Sequence, residues 1–370
     1  MRVAFAGGGT GGHLYPALAI ADKLRDRSSI LFIGSADGLE TSVVPEAGYE
    51  LQTIESSPLQ RGNTLGTVAT AATNMVGVAQ GLRVLSVFHP DIVIATGGYV
   101  CFPAMVAARI MRTFGQLRAP LALLEPNARP GLANRMLAPV VDEVWGAFPD
   151  ADPVFAGKYV YTGIPVRASL LHPNNRIEAA RRLGLDPARR TILAVGGSQG
   201  ARTINEAISA LMTRRALPPN WQILHVCGER DYEYMQAAER QPFGDNKVVL
   251  VPYLHDMADA YALSDLAIAR AGASTVGELA ALGIPAVLIP YPYAAEDHQS
   301  YNAQTLAARG AAVVIEDRNL NADSLWWTLR DMMQTERLEQ LRSAARSLAS
   351  RDAVATILAR VEALVPKNNG

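Results

Sequence analysis

The first loop of the chain, GGGTGGH at residues 7–13, combines almost bare backbone with a single titratable side chain, His13. Glycine lets the backbone approach a ligand closely, and free amides at the start of a helix bind anions. Histidine titrates near neutral pH and is therefore suited to accept a proton during catalysis. The spacing predicts a turn that can bring phosphate close to the backbone, with His13 as a titratable side chain at its end. A histidine that only orients this turn is the alternative interpretation.

Three more glycine turns follow strand-like segments later in the chain. Their sequences are IATGGYVCFP at 94–103, LAVGGSQGARTIN at 193–205 and ARAGASTVGEL at 269–279. Each has the order strand, glycine turn, helix, which presents backbone amides at a helix start. One such motif is often only a tight turn, whereas four of them favour phosphate binding. Two in each half of the chain indicate two different phosphorylated ligands.

The first loop also fits the dinucleotide pattern G-x-G-x-x-G at Gly7, Gly9 and Gly12. A nicotinamide-binding domain needs in addition an acid at the end of its second strand. Here that strand, ILFIG, ends at Gly34, and Asp37 comes too late, so the pattern disfavours an NAD-binding oxidoreductase. No glycine turn carries the lysine of an ATP-binding P-loop, and the histidines show no metal-ligand spacing. We therefore expect neither a cofactor nor a protein-bound metal.

Composition indicates a folded protein with more than one core. The 370 residues are 49% hydrophobic and 19% charged, and the net charge is −1. This length favours two domains, and the near-neutral charge gives no reason to expect nucleic acid as a partner. Cys101 and Cys227 match no metal or redox spacing, which favours a reducing compartment. We expect no signal peptide, and the apolar stretch 67–82 is too short and too polar to span a bilayer.

Short runs rich in valine, isoleucine and leucine alternate with helical patterns along the chain, and the alternation restarts near residue 165. Continuous apolar strands joined by helices indicate parallel sheets covered on both faces. The predicted fold class is α/β, with two doubly wound parallel-sheet, Rossmann-like domains facing a central cleft. We expect a first domain at 1–165 and a second at 166–349, with a C-terminal helix at 350–370 packing back on the first.

Residues 61–140 contain seven arginines, no lysine and two acids. This surplus predicts a surface for something anionic, either a phosphorylated substrate or an anionic membrane surface, and scattered solvated arginines are the alternative. Apolar residues lie near Arg83 in the same segment, namely Met75, Val76, Leu82, Leu85 and Phe88. An apolar patch edged by arginine would bind anionic lipid, although a core-facing helix has the same pattern.

Six motifs occur in a fixed order along the chain: GGGTGGHLYPALAIA, ATGGYVCFPAMVAA, GIPVR, GGSQGARTIN, RAGASTVGELAALGIPAVLIPYP and EDHQSYNA. From residue 3 to residue 360 the chain resembles the MurG family, which belongs to glycosyltransferase family 28. The resemblance implies the GT-B fold and an inverting transfer of GlcNAc from UDP-GlcNAc to undecaprenyl-linked lipid I, giving lipid II for peptidoglycan. It also implies a peripheral location at the cytoplasmic face of the cell membrane, with proteins of cell-wall synthesis and division as partners.

The resemblance assigns roles to individual residues at the UDP-GlcNAc site. Ser198 and Arg167 would hold the donor pyrophosphate. The Leu254 backbone would meet the uracil ring, and Glu278 would hold the ribose hydroxyls. Asn127 and Gln299 would contact the GlcNAc hydroxyls. The other donor positions are Thr10, Gly11 and Gly12 in the first loop and Ala273, Ser274, Thr275, Val276 and Gly277 at a helix start.

On the acceptor side, the corresponding positions are Gly8, Gly9, Gly97, Gly98 and Tyr99. His13 is the first candidate base and Glu125 the second. The family usually has glutamine where Pro126 stands, and often histidine where Tyr293 stands, so this chain lacks one polar side chain near the sugar.

Several alternatives remain open at this stage. Glu278 also fits a surface acid of a helix, Gln299 and Asn127 fit a helix-start and a turn residue, and Ser198 fits a helix cap. A diacylglycerol glycosyltransferase, a UDP-GlcNAc epimerase and a non-catalytic nucleotide-binding scaffold are the rival functions of the same fold.

Overall fold

The computed structural model describes residues 1–58, 64–150, 152–171, 174–197, 200–214, 217–238, 247–254, 256–348 and 352–365. The chain divides into two compact units. The first unit contains Met1–Arg167 together with Asp352–Gly370, and the second contains Ala168–Arg351. Each unit is built around a sheet of its own.

The described strands of the first unit form one parallel sheet in the order β3-β2-β1-β4-β5-β6-β7. The strands are β1 (Arg2–Gly7), β2 (Ser29–Gly34), β3 (Glu50–Thr53), β4 (Ile92–Gly97), β5 (Leu121–Glu125), β6 (Glu143–Gly146) and β7 (Tyr159–Tyr161). The helices between them are α1 (Gly11–Leu24), α2 (Glu40–Glu46), α3 (Thr64–Phe88), α4 (Cys101–Thr113) and α5 (Leu132–Leu137), with 3₁₀ turns at Arg25–Arg27 and Pro153–Phe155.

In the second unit the described strands are also parallel, in the order β10-β9-β8-β11-β12-β13. The strands are β8 (Arg190–Val195), β9 (Trp221–Val226), β10 (Lys247–Val251), β11 (Ser264–Ala269), β12 (Ala286–Leu288) and β13 (Ala312–Val314). The helices are α6 (Ala168–Leu171), α7 (Arg176–Leu183), α8 (Arg202–Arg214), α9 (Glu229–Ala238), α10 (Ala258–Leu263), α11 (Ala273–Leu282), α12 (His298–Ala308), α13 (Ala322–Met332) and α14 (Thr335–Leu348), with 3₁₀ turns at Ala295–Asp297 and Asp317–Asn319. The last helix, α15 (Ala353–Leu364), belongs to the first unit.

Strand β1 illustrates why these segments form sheets covered on both faces. Val3 and Phe5 enter one buried apolar cluster, whereas Ala4 and Ala6 enter another on the opposite face. Side chains alternate across a strand, so a continuous apolar run fills two cores at once. The prediction of two doubly wound, parallel α/β sheets is confirmed.

The glycine turns follow the central strands of each sheet. In the first sheet they follow β1 and β4, which are neighbours, and in the second they follow β8 and β11, which are also neighbours. In both sheets the strand order reverses direction between these two strands. Ligands of open parallel sheets bind beyond the carboxyl ends of the strands at such a switch point.

Helix α3 corrects one prediction made from its sequence. Leu85 is fully buried in the first unit's core, and Leu82 and Phe88 pack against the same cluster, so the prediction that Leu85 belongs to a surface patch is wrong. Met75 and Val76 are exposed, as is Val87, which the sequence argument did not include. None of the helices in the described ranges is long and apolar enough to cross a membrane.

The C-terminal helix α15 packs into the apolar cluster that also contains side chains of β1. Ile357 and Val361 are fully buried in the cluster that contains Phe5 and Trp145. Burial raises the pKa of the Glu143 carboxyl, but the ion pair with Arg360 and the hydrogen bond from Trp145 Nε1 together hold it below its usual value. Residues more than 300 positions from β1 therefore contribute to the same apolar layer.

We expect Ile357→Ala to destabilise the first unit by about 2–5 kcal/mol, because it removes apolar volume from a closed core. The matched control, Ala359→Ser on the exposed side of the same helix, is expected to cost less than about 1 kcal/mol. Urea unfolding measures the change in the free energy of unfolding for both variants. Hydrogen exchange of the β1 peptide follows the stability of the first unit itself. Equal losses of stability in the two variants would contradict the packing of Ile357 in the first unit's core.

Candidate active site

The first glycine loop orients His13 at the start of α1. Gly9 has a φ of 81°, which favours glycine, and Thr10 is the extended N-cap residue of the helix. The Thr10 carbonyl accepts hydrogen bonds from the amides of His13 and Leu14 at 3.2 Å each. These hydrogen bonds therefore fix the backbone of His13 in the first turn of α1, directly after the glycines of the loop.

The hydrogen bond of the His13 ring determines which nitrogen carries the proton. Nδ1 lies 2.9 Å from the carbonyl oxygen of Thr96 at the end of β4. Because a carbonyl oxygen can only accept, Nδ1 must donate, and the neutral ring keeps its lone pair on Nε2. Nε2 is thus the ring atom that can accept a proton in a reaction.

The second glycine turn lies directly against the first. A Cβ atom on Gly97 would lie 2.1 Å from His13 Nδ1, and one on Gly98 would lie 2.4 Å from the carbonyl oxygen of Gly8. Both glycines have positive φ, of 106° and 88°. No larger residue fits either position without moving the turns. Tyr99 follows them and is 56% exposed.

Amides at the start of α1 are available to an anion. Among the described residues, none accepts a hydrogen bond from the amide nitrogens of Thr10, Gly11 or Gly12. The amide of Gly9, in contrast, donates to Glu40 Oε2 at 2.7 Å. Since helices α1 and α4 both begin beside these turns, their positive dipole ends favour a negatively charged group there.

Glu125 ends β5 and is 2% exposed. Its Oε1 accepts hydrogen bonds from the Asn127 amide at 2.9 Å and from Asn127 Nδ2 at 3.2 Å, and its Oε2 accepts from Asn134 Nδ2 at 2.7 Å. Burial raises the pKa of Glu125 to about 7, against the lowering effect of these hydrogen bonds and of one from the Gly131 backbone. A carboxyl with such a pKa exchanges a proton near neutral pH.

Arg167 lies beside Tyr15 of α1, the helix that follows the first loop. Its guanidinium carbon is 4.7 Å from the centre of the Tyr15 ring on α1. Its Nε atom is buried and has no hydrogen-bond partner in the described chain. The Arg167 side chain, which the family resemblance assigns to the donor pyrophosphate, is therefore held by stacking on Tyr15.

In the second unit, α11 begins beyond β11 with Gly272 as N-cap. Ala273 and Val276 are buried. Ser274 Oγ is buried and, within the described ranges, has no partner. Glu278 Oε2 accepts a hydrogen bond of 2.6 Å from Tyr261 on α10, which orients the carboxylate. Thr275 and Gly277 occupy the same first two turns.

Gln299 bridges the ends of two neighbouring strands. Its Oε1 accepts hydrogen bonds from the amides of Ala271 at 3.1 Å and Tyr291 at 3.0 Å. Two N–H donors identify this atom as the oxygen, so the other polar atom of the amide is the nitrogen Nε2, a hydrogen-bond donor. Glu296 and Asp297, with φ of 53° and 56°, form the strained turn that leads into α12.

Two predicted donor positions add less to this site. Ser198 lies outside the described residues. Leu254 follows β10 and is half-buried. Tyr293 is 83% exposed.

In the described part of the chain, no three His, Cys, Asp or Glu side chains are grouped so that they could hold a metal ion.

Sequence reasoning missed three residues that support the site, namely Glu40, Asn134 and Tyr261. Each is buried and bonded to a residue or loop that the sequence did single out. A buried polar side chain in an otherwise ordinary helix gives no signal in one sequence. Only the contacts reveal it.

Comparison with known proteins supports one family along nearly the whole chain. Residues 3–145 match the glycosyltransferase family 28 N-terminal domain, and residues 191–357 match the glycosyltransferase family 28 C-terminal domain. The crystal structure of MurG from Acinetobacter baumannii superimposes with a TM-score of 0.78 at 28% identity, covering 98% of this chain and 99% of that one. This agrees with the GT-B fold.

Two curated relatives carry the name UDP-N-acetylglucosamine–N-acetylmuramyl-(pentapeptide) pyrophosphoryl-undecaprenol N-acetylglucosamine transferase. The protein from Desulforamulus reducens is 38% identical over 379 residues, covering 99% of this chain and 100% of the relative. The protein from Halothermothrix orenii is 39% identical over 372 residues, covering 98% of both chains. With this similarity over both units, the chain belongs to glycosyltransferase family 28, in the same group as these N-acetylglucosamine transferases.

Proposed function

We propose that this enzyme transfers GlcNAc from UDP-GlcNAc to the 4-hydroxyl of MurNAc in undecaprenyl-pyrophosphoryl-MurNAc-pentapeptide, converting lipid I to lipid II for peptidoglycan. The observation that carries the proposal is the full-length similarity, at 38–39% identity, to transferases named for that reaction. The geometry around His13 and the glycine turns supplies the chemistry that such a transfer needs.

His13 is the general base of the transfer. The acceptor hydroxyl attacks the anomeric carbon of GlcNAc while UDP leaves from the opposite face, which inverts the configuration. The hydroxyl proton passes to His13 Nε2, because Nδ1 already donates its proton to Thr96. General-base catalysis of this kind contributes about 10²–10⁴-fold. Glu125, with a pKa of about 7, is the second candidate.

A cation and hydroxyl hydrogen-bond donors stabilise the negative charge that develops on the departing UDP. Arg167 supplies a cation with a buried N–H, and Ser274 supplies a buried hydroxyl at the start of α11. Ser198 belongs to the same set by its motif. Donors that are fixed before the reaction lower the barrier most, because they need not reorganise as charge develops.

Glu278 and Gln299 recognise the rest of the donor. The Glu278 carboxylate, held by Tyr261, accepts hydrogen bonds from the ribose hydroxyls, and the Leu254 backbone meets the uracil. Gln299 donates from Nε2 to a GlcNAc oxygen, because its Oε1 is occupied. The family resemblance also assigns Asn127 to a GlcNAc hydroxyl.

The acceptor diphosphate lies at the adjoining starts of α1 and α4. The amides of Thr10, Gly11 and Gly12 face it, and the turn of Gly97 and Gly98 brings the second helix start within reach. The absence of a side chain at Gly9, where a Cβ atom would meet no other atom within 4 Å, lets the MurNAc sugar approach His13. Tyr99, which is exposed, borders this region.

The exposed face of α3 binds the enzyme to the cytoplasmic face of the membrane that holds lipid I. Met75 and Val87 are 73% and 74% exposed, and Val76 is 50% exposed. Arg83, on the same exposed side, is the only charged residue of the helix. Apolar side chains with a neighbouring cation are typical of a surface that rests on anionic lipid.

The proposed function predicts that UDP is released from UDP-GlcNAc only when a lipid I analogue is present, with one disaccharide product formed per UDP. Coupled detection of UDP with mass spectrometry of the lipid measures both. Conversion of UDP-GlcNAc without acceptor would indicate an epimerase, and nucleotide binding without turnover would indicate a scaffold.

We expect His13→Ala to lower kcat by at least about 100-fold while leaving the Kd for UDP-GlcNAc nearly unchanged, because it removes the proton acceptor and not the donor site. His89→Asn, at an exposed position, is the matched control and should retain wild-type activity. Steady-state kinetics and calorimetric titration give the two constants. A larger loss of kcat in Glu125→Gln than in His13→Ala would transfer the role of base to Glu125.

For the membrane surface, the double variant Met75→Glu, Val76→Glu should lose binding to vesicles that contain phosphatidylglycerol, since it introduces charge into the apolar face. The control is the double variant Ala188→Glu, Thr213→Glu, which adds the same charge at exposed positions of the second unit. Co-sedimentation at low and high salt measures binding. Equal binding by both variants would contradict the assignment of α3.

A further inference from the structure

Glu40 is a fully buried carboxylate beside the first glycine loop. It is the first residue of α2, and its relative exposure is 0%. In the part of the chain that the structure describes, no lysine or arginine forms an ion pair with it. A buried carboxylate without a cation is costly unless hydrogen bonds replace its water.

Two loops provide those hydrogen bonds. Oε2 accepts from the Gly9 amide at 2.7 Å, and Oε1 accepts from the Ser35 amide at 2.8 Å and the Ser35 hydroxyl at 2.7 Å. Ser35 follows β2, and Gly9 follows β1, the neighbouring strand. Glu40 therefore ties together the loops that leave two adjacent strands.

Three glycines make room for this carboxylate. A Cβ atom on Gly8, Gly34 or Gly38 would lie 2.2, 2.5 or 2.1 Å from the nearest atom of the Glu40 side chain. The space that glycines leave open in this turn is thus filled by an anion from the same chain. A turn of this type, with its amides pointing inward, is a general binding site for an external phosphate.

The link from Glu40 to the reacting groups is short. Glu40 holds the amide of Gly9, and Gly9 precedes Thr10, whose carbonyl accepts the amide of His13. On the other side, the Gly8 amide donates to the Gly97 carbonyl. The loop is fixed from both sides, and the end nearer His13 depends on Glu40.

We propose that Glu40 is the resident anion of the first glycine loop: it holds the loop so that His13 is positioned for proton transfer, and its charge keeps the acceptor's phosphates away from Gly8 and Gly9, toward the amides of Thr10 to Gly12. Glu40 is a positioning residue, because it touches the loop and not the reacting atoms. The inference rests on the proposed transfer at His13.

The test compares Glu40→Ala, Glu40→Gln and the matched control Ser35→Ala. Ser35→Ala removes one hydrogen bond to the carboxylate but keeps the bond to Gly9. We expect Glu40→Ala to lower kcat by about 100-fold with little change in KM for UDP-GlcNAc, because a small displacement of a catalytic group has an effect of this size. Ser35→Ala should remain within about 3-fold of the wild type, since the Gly9 bond is intact.

Chemical rescue separates positioning from general damage. Formate should raise the kcat of Glu40→Ala in proportion to its concentration, because a small carboxylate can occupy the site that the side chain leaves. Chloride at the same ionic strength should not, and formate should not rescue His13→Ala. Hydrogen exchange of the peptide covering residues 7–14 should be faster in Glu40→Ala than in Ser35→Ala, and should slow again with formate.

Each outcome decides the inference. Wild-type kcat in Glu40→Ala, or a loss of kcat with no rescue and unchanged exchange at residues 7–14, overturns it. If Glu40→Ala does not fold, Glu40→Gln decides, because it keeps the volume and removes the charge: a lowered kcat with an unchanged donor KM supports the inference, and a wild-type kcat overturns it. A wild-type enzyme that transfers no GlcNAc to lipid I overturns the proposed function instead.

Discussion

Close contact between two backbone turns underlies the candidate acceptor side of the first unit. The turns after β1 and β4 lie so near each other that a Cβ atom on Gly97 or Gly98 would overlap the His13 ring or the Gly8 carbonyl. This contact places the Thr96 carbonyl against His13 Nδ1 and thereby fixes the ring. The position of His13 therefore depends on Gly97 and Gly98, and the proposed proton transfer depends on this packing constraint.

Buried polar groups stabilise both sets of turns from behind. Glu125 and Glu40 are buried carboxylates of the first unit, and their oxygens are satisfied by amides and hydroxyls of the loops they support. In the second unit the Arg270 guanidinium pairs with Asp317 at 2.5 Å and donates to Thr203. Such networks offset the desolvation of their members only when every member is bonded, and they hold the loops rigid. Rigid loops are what electrostatic catalysis requires.

The parallel sheets and the family were predictable from sequence, because both leave repeated local signals. Alternating burial on β1 follows from an apolar run that fills two faces, and the glycine turns follow from residues that tolerate positive φ. The exposed face of α3 was not predictable in the same way. Apolar residues lie on all sides of that helix, so its period does not show which side faces the core, and Leu85 was assigned to the wrong one.

By itself the sequence determined the fold class, the loops at the strand ends and His13 as the candidate base, since each depends on residue type and spacing over a few positions. The tertiary structure alone decided which atom of His13 can accept a proton, why Glu125 has a pKa near 7, and that Glu40 fills the first loop. Glu40 and Gly9 are 31 positions apart, and His13 and Thr96 are 83 apart. Hydrogen bonds and desolvation depend on distances in space, and spacing along a single chain does not encode them.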